Sequence, residues 1–200
     1  MAGYELNYEA LDDADKKKEV TAAEEFIDWV ETIIGAFFAV IIIFTFLLRV
    51  ANVDGASMQP TLTEGDRLIV SHLFYEPEAG DIVIVNSEKL GKAIVKRVIA
   101  VEGQTVEVDP DAGIVKVDGT VLDEPYILEL TKEDEGYHNY PVEVPEDCVF
   151  VMGDNRMNST DSRSEGVGFV NEEDILGKVI FRIFPFNAIG DPDRSGGAND

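Results

Sequence analysis

"GIVKVDGTVLD" (residues 113–123) alternates apolar and polar residues on both sides of Asp118-Gly119. A Asp-Gly pair between two such runs is the strongest short-range signal for a two-residue hairpin, because both turn positions need positive φ. The runs on either side of the hairpin read the same way. "DRLIVSHLF" (66–74), "DIVIVNS" (81–87), "KAIVKRVIAVEG" (92–103), "QTVEVD" (104–109), "CVFVMGD" (148–154) and "DILGKVIFRIFPF" (174–186) are short, rich in β-branched residues and separated by turn residues. "DPDAG" (109–113) is a further turn. No segment after Val50 sustains a helical period. The spacing therefore predicts a mainly β outer part. Residues 51–102 and 147–186 form its main domain, and the turn-rich, acidic 103–146 forms a small inserted β subdomain. Residues 187–200, rich in Gly and Asp, are expected to be a disordered tail.

Before this part lies "TIIGAFFAVIIIFTFLL" (32–48), 17 residues without a charge. With Phe26, Ile27, Trp29, Val30 and Val50 at its ends it reaches the length that spans a bilayer. It is apolar on every face, unlike a core helix. A long polar lead and no clean small-x-small site argue against a cleaved signal peptide. A single transmembrane helix over 26–50 is predicted. Lys16, Lys17 and Lys18 precede it, which places a tail of residues 1–25 in the cytoplasm and the β part on the outer face.

The composition, 45% hydrophobic and 28% charged, is that of a folded chain with a real core. The net charge of −24 excludes nucleic acid as a partner, since phosphate backbones repel such a surface. With one cysteine, Cys148, neither an intrachain disulfide nor a thiolate metal cluster can form. The Asp191-Asp193-Ser195 spacing lacks the distal glutamate of a calcium loop, and no metal or other cofactor is expected.

Candidate chemistry sits in three places. Ser57 lies in "NVDGASMQPTL" (52–62), a few residues past the apolar run. Alone it reads first as a turn residue. As a nucleophile it would need a base, and neither histidine is well placed: His72 follows a strand pattern and His138 lies in an exposed loop. Lys96 has Ile94, Val98 and Ala100 on its own strand face. Either its stem lies along the sheet with the amine in water, or it is buried and prefers the neutral state a base requires. "GDNRMNSTDSR" (153–163) is dense in hydrogen-bonding side chains, and Asp154, Arg156, Asp161 and Arg163 can pair there.

Together these stretches resemble the bacterial type I signal peptidases, membrane-anchored Ser/Lys endopeptidases. The resemblance is carried by "SMQPTL" (57–62), "GDRLIV" (65–70), "KRVIAVEGQTV" (96–106) and "GDNRMNSTDSR" (153–163), in the family order. It implies coiled antiparallel sheets with an inserted β subdomain, Ser57 as nucleophile and Lys96 as general base. Ser159 would hydrogen-bond and orient the lysine, and Arg97 with Asp154 and Asp161 with Arg163 would be supporting ion pairs. The Ser57 N–H would be one oxyanion donor; Gly55 stands where some members carry a second donor, a serine hydroxyl. Val53, Met58, Leu62 and Val95 would line shallow pockets for small residues at −1 and −3. The 81–87 strand would pair with the extended substrate. The implied partners are signal peptides of exported preproteins and membrane lipid, and the implied place is the bacterial plasma membrane.

Three other readings compete. A self-cleaving Ser/Lys repressor-type protease is soluble, which the 32–48 run opposes. A sortase-like enzyme would use Cys148, but "EDCVFVM" reads as a buried strand. An inactive anchored β module would not need the catalytic residue types that are all present.

Overall fold

The computed structural model describes residues 24–42 and 48–195. Residues 24–42 form a helix, α1, with Glu24, Glu25, Asp28 and Glu31 in its first half. The Thr32 hydroxyl bonds back to the Asp28 carbonyl at 2.8 Å. Among the described residues no helix is long and apolar enough to cross a membrane. The predicted 26–50 span is corrected at its C-terminal end, because Leu48, Arg49 and Val50 belong to the first strand, β1 (Leu48–Asn52). Residues 43–47 of that span, and residues 1–23 of the predicted tail 1–25, lie outside the described residues, while Glu24 and Glu25 of that tail already belong to α1.

The described residues from Leu48 onward form one compact unit. Its strands are β2 (Arg67–Ser71), β3 (Ile82–Ser87), β4 (Lys92–Val101), β5 (Thr105–Asp109), β6 (Ile114–Val117), β7 (Thr120–Val121), β8 (Val142–Glu143), β9 (Cys148–Met152), β10 (Val170–Asn171) and β11 (Ile175–Phe184). A seven-stranded sheet runs β1-β2-β11-β3-β4-β9-β10, and a four-stranded sheet runs β7-β6-β5-β8. Adjacent strands are antiparallel in both sheets. The Asp118-Gly119 hairpin has φ of 50° and 75°, the double positive φ that a primed turn demands.

The smaller sheet has no core to itself. Val106, Val108, Val115 and Val117 pack with Ile99, Ala100, Phe150 and Met152 of the larger sheet. A second cluster gathers Val53, Met58, Leu62, Leu68, Ile82 and Ile84. A third joins Val83, Val85, Val98, Val149 and Val151. The strand β4 touches all three, which explains why its sequence is apolar on both faces. A register shift between Val98 and Ala100 breaks the expected alternation. As a result Ile99 and Ala100 both enter the first cluster, and Ala100 does not share a face with Lys96 as the simple period predicts.

The expected disordered tail is ordered at its start. Arg182 and Gly190 exchange both backbone hydrogen bonds, at 2.8 and 3.1 Å, and a short helix α2 follows at Pro192–Ser195. Residues 196–200 lie outside the described residues.

Candidate active site

Ser57 sits on a tight turn directly after β1. Gly55 precedes it with φ of 92°, a conformation that side-chain-bearing residues rarely adopt. The chain then curls so that the Gln59 N–H reaches the Ala56 carbonyl at 3.2 Å and the Leu62 N–H reaches the Met58 carbonyl at 2.8 Å. That single turn puts Met58 and Leu62, four residues apart, on one inward face; they are 1% and 0% exposed. Ser57 is left half-buried, facing the other way. Among the described residues its N–H has no hydrogen-bond partner.

Lys96 reaches Ser57 from β4, with Nζ donating to Oγ at 2.8 Å. The lysine is 2% exposed and forms no ion pair among the described residues. Burial pushes its pKa down to about 8; Asp161 and Asp154 oppose the fall, while Arg163 and Lys92 add to it.

The 153–163 segment fixes both partners. Asn155 holds the nucleophile turn twice, its N–H to the Ser57 carbonyl at 3.0 Å and its side-chain amide to the Ala56 carbonyl at 3.1 Å. Asp154, fully buried, takes a two-pronged bond from Arg97 at 2.9 and 2.8 Å. It also accepts the Thr61 hydroxyl. Asp161, also fully buried, is gripped by Arg163 at 2.8 and 2.9 Å, by the Gly153 N–H and by the Ser159 hydroxyl at 2.7 Å. Burial alone would raise the Asp161 pKa, but the Arg163 fork and these other donors hold it below the usual carboxylate range. Ser159 therefore spends its proton on Asp161; the hydrogen bond to Lys96 that the family resemblance implies is absent from this geometry.

Two features of this segment escape the sequence reading. Arg156, buried like the other two arginines, pairs with Glu124 at 2.6 and 3.0 Å and with the Thr131 hydroxyl at 2.8 Å. Its Nε donates to the Gly153 carbonyl at 3.0 Å. Gly153 itself is a close-approach glycine: a Cβ there would overlap the Ser57 carbonyl oxygen and the Ser159 hydroxyl. Its place immediately before the polar cluster was the available signal.

Ser57 and Lys96 open into a cleft of about 320 Å³ between residues 52–57 and 90–96. Gly55, Ala56, Ala93, Ile94 and Val95 give it shallow apolar walls, and Ser159 lines it as well. Of the four expected pocket residues only Val95 lines this cleft. Val53, Met58 and Leu62 are corrected to core positions under the Ser57 turn. The expected substrate strand is corrected too. The strand β3 lies between β11 and β4, so both its edges are taken. In β4, by contrast, pairing with β9 begins only at Arg97, which leaves Lys92–Lys96 paired on the β3 side alone.

The other candidate nucleophile and bases lie elsewhere. His138 packs among Tyr137, Tyr140, Phe150 and Phe169, with Nε2 3.0 Å from the Ser162 carbonyl. His72 is exposed beyond the end of β2. Cys148 is buried, and that burial pushes its thiol pKa up, away from the reactive thiolate. No cluster of metal-ligating side chains is present among the described residues.

A family model described as "Signal peptidase, peptidase S26" matches residues 26–184. The "Probable signal peptidase I-1" of Synechocystis sp. is 44% identical over 157 residues, 72% of this chain and 76% of that protein. Signal peptidase I T of Bacillus subtilis is 39% identical over 181 residues, 86% of this chain and 90% of that protein. A crystal structure of a signal peptidase I from Enterococcus faecalis aligns with a TM-score of 0.45 at 30% identity, covering 52% of this chain and 97% of that one.

Proposed function

The chain belongs to the peptidase S26 family of signal peptidases, and on that premise we propose that it cuts signal peptides by a Ser57–Lys96 dyad. The observation that carries the reading is the 2.8 Å contact between Ser57 Oγ and a buried lysine with no counter-ion among the described residues. A neutral Lys96 takes the proton from Ser57 as Oγ attacks the carbonyl of the residue before the cut. The resulting oxyanion is met by the Ser57 N–H, and Gly55 lets the adjoining backbone come close enough to supply a second donor. The tetrahedral intermediate collapses as the Lys96 ammonium protonates the departing amine. An acyl-enzyme remains on Ser57. Lys96, neutral again, takes a proton from water as the water oxygen attacks the ester, and returns that proton to Ser57 Oγ as the acyl bond breaks. Asp154, Arg97, Asp161, Arg163 and Ser159 hold this geometry without touching the reacting atoms.

The substrate lies in the cleft as an added strand along the free edge of Lys92–Lys96. Gly55, Ala56, Ala93 and Val95 leave room only for small side chains near the scissile bond, consistent with small residues at −1 and −3. The place of action is a membrane surface. The uncharged run 32–48 leads straight into β1, so the cleft lies a few residues of chain from the end of that run. Exposed Phe74 and Phe186, at 94% and 80%, are apolar side chains of the kind a lipid surface accepts. The N-terminal tail is then cytoplasmic, with the β part on the outer face of a bacterial plasma membrane.

The test is processing of a preprotein by the detergent-solubilised chain, with Ser57→Ala and Lys96→Ala in parallel. Both variants are expected to lose activity by about 10³-fold or more. Cleavage at the parent rate by either variant refutes the dyad.

A further inference from the structure

Arg97 has a tie that comes from beyond the matched segment, which ends at residue 184. Its Nε and Nη2 are spent on Asp154. Its Nη1 donates to the Gly80 carbonyl at 2.8 Å and to Asp193 Oδ1 at 2.5 Å. The guanidinium carbon also lies 4.0 Å above the Tyr126 ring centroid. Asp193 is brought there by a built path. The backbone pairing of Arg182 with Gly190 turns the chain back, and the Asp191 carboxylate accepts the Asp193 N–H at 3.1 Å. Arg182 is buried and tied to Asp66 and the Thr61 carbonyl, both at 3.1 Å, so the turn is anchored under the nucleophile turn.

We propose that Asp193 is a positioning residue: residues 190–193 clamp Arg97, and through it fix the Lys96 strand against the Ser57 turn. The inference rests on the dyad reading above. The connection runs Asp193–Arg97–Asp154–Thr61, and Thr61 is four residues after Ser57 while Arg97 is one after Lys96. Without Asp193, one N–H of a guanidinium that is only 2% exposed loses its partner, and the Gly80 carbonyl is left to oppose the pull of Asp154. Arg97 then tilts toward Asp154, and Lys96 moves with the strand. Displacements well under an ångström suffice to slow a proton transfer.

The test uses the full chain in detergent, comparing Asp193→Asn and Asp193→Glu with the parent. Preprotein cleavage gives kcat and KM, and amide hydrogen exchange reports on residues 92–98 and 153–156. Asp193→Asn is expected to lower kcat about 3- to 10-fold at unchanged KM, the effect of one charged hydrogen bond felt at the dyad. Exchange should quicken at those two segments only, and Asp193→Glu should recover most of the kcat. An Asp193→Asn variant with parent kcat and parent exchange overturns the proposal. So does a loss of kcat accompanied by faster exchange throughout, which marks a merely structural role. If the unsubstituted chain does not cleave, the dyad reading falls, and local exchange alone decides whether Asp193 holds the two segments.

Discussion

Lys96 and Arg97 are consecutive in β4, each only 2% exposed, and their surroundings treat them in opposite ways. Arg97 meets two carboxylates, a carbonyl and an aromatic face. Lys96 meets one hydroxyl. Burial acts on both cations in the same direction, lowering the pKa. Around Arg97 the carboxylates of Asp154 and Asp193 outweigh it and leave the pKa raised. Around Lys96 burial wins, and the pKa falls to about 8. The chemistry of the two side chains explains the division. A guanidinium cannot shed its proton, so burying one requires partners. An ammonium can, and withholding a carboxylate keeps the amine available as a base. On the proposed dyad reading, one strand thus supplies a fixed charge for structure and a variable one for catalysis.

The comparison breaks most sharply at Asp154. Asp154→Ala leaves Arg97 with Asp193 as its one carboxylate, and without the option of neutralising. Removing one partner of a buried pair costs about 3–5 kcal/mol, and the Thr61 hydroxyl loses its acceptor too. Urea unfolding should show a midpoint lowered accordingly. A loss below about 1 kcal/mol would mean that Asp193 alone suffices for Arg97 and that the two-carboxylate account is wrong.

Gly153 is where the charged region touches the dyad. Its N–H binds Asp161, its carbonyl binds Arg156, and its missing Cβ makes room for Ser57 and Ser159. Gly153→Ala should force the nucleophile turn away while leaving the Arg97–Asp154, Arg156–Glu124 and Arg163–Asp161 pairs their partners. The carbonyl of Ser57 is backbone and cannot swing aside as a side-chain tip would. A misplacement of this kind lowers kcat by about 10- to 100-fold. Parent kcat in this variant would show that the turn has slack that the close contact does not suggest.

Much of this arrangement was legible in the sequence, and the remainder was hidden for identifiable reasons. The strand pattern, the Asp118-Gly119 hairpin and the polar density of 153–163 are local, and local rules read them. Lys96 stood out because a cation between apolar neighbours at period two is a conflict visible in one dimension. What stayed hidden depends on which strands become neighbours. The closed edges of β3, the open edge of Lys92–Lys96 and the bulge at Val98–Ala100 are properties of pairing across the chain. Glu124 and Asp193 reach their arginines from 32 and 96 residues away, so no spacing announced them. Family likeness alone assigns Val53, Met58 and Leu62 to the substrate. The helical turn at 58–62 explains why Met58 and Leu62 point into the core instead.

The smallest expected effect weighs burial against the charge of Lys92, two of the causes that act on Lys96. Burial is the larger; the charge of Lys92, which lines the same cleft four residues earlier, is a lesser one acting in the same direction. Because the base must be neutral, cleavage should rise with pH through about 8 in the parent. Lys92→Gln removes a positive neighbour, which makes protonation of Lys96 easier and raises its pKa. The pH–kcat profile should therefore move slightly to higher pH, with reduced activity at pH 7. Lys92 is exposed, so salt screens its influence while leaving the burial of Lys96 untouched. Raising the ionic strength should move the parent profile the same way and erase the difference between the two proteins. Superimposable profiles at low salt would strike Lys92 from the causes and leave the depression to burial and Arg163.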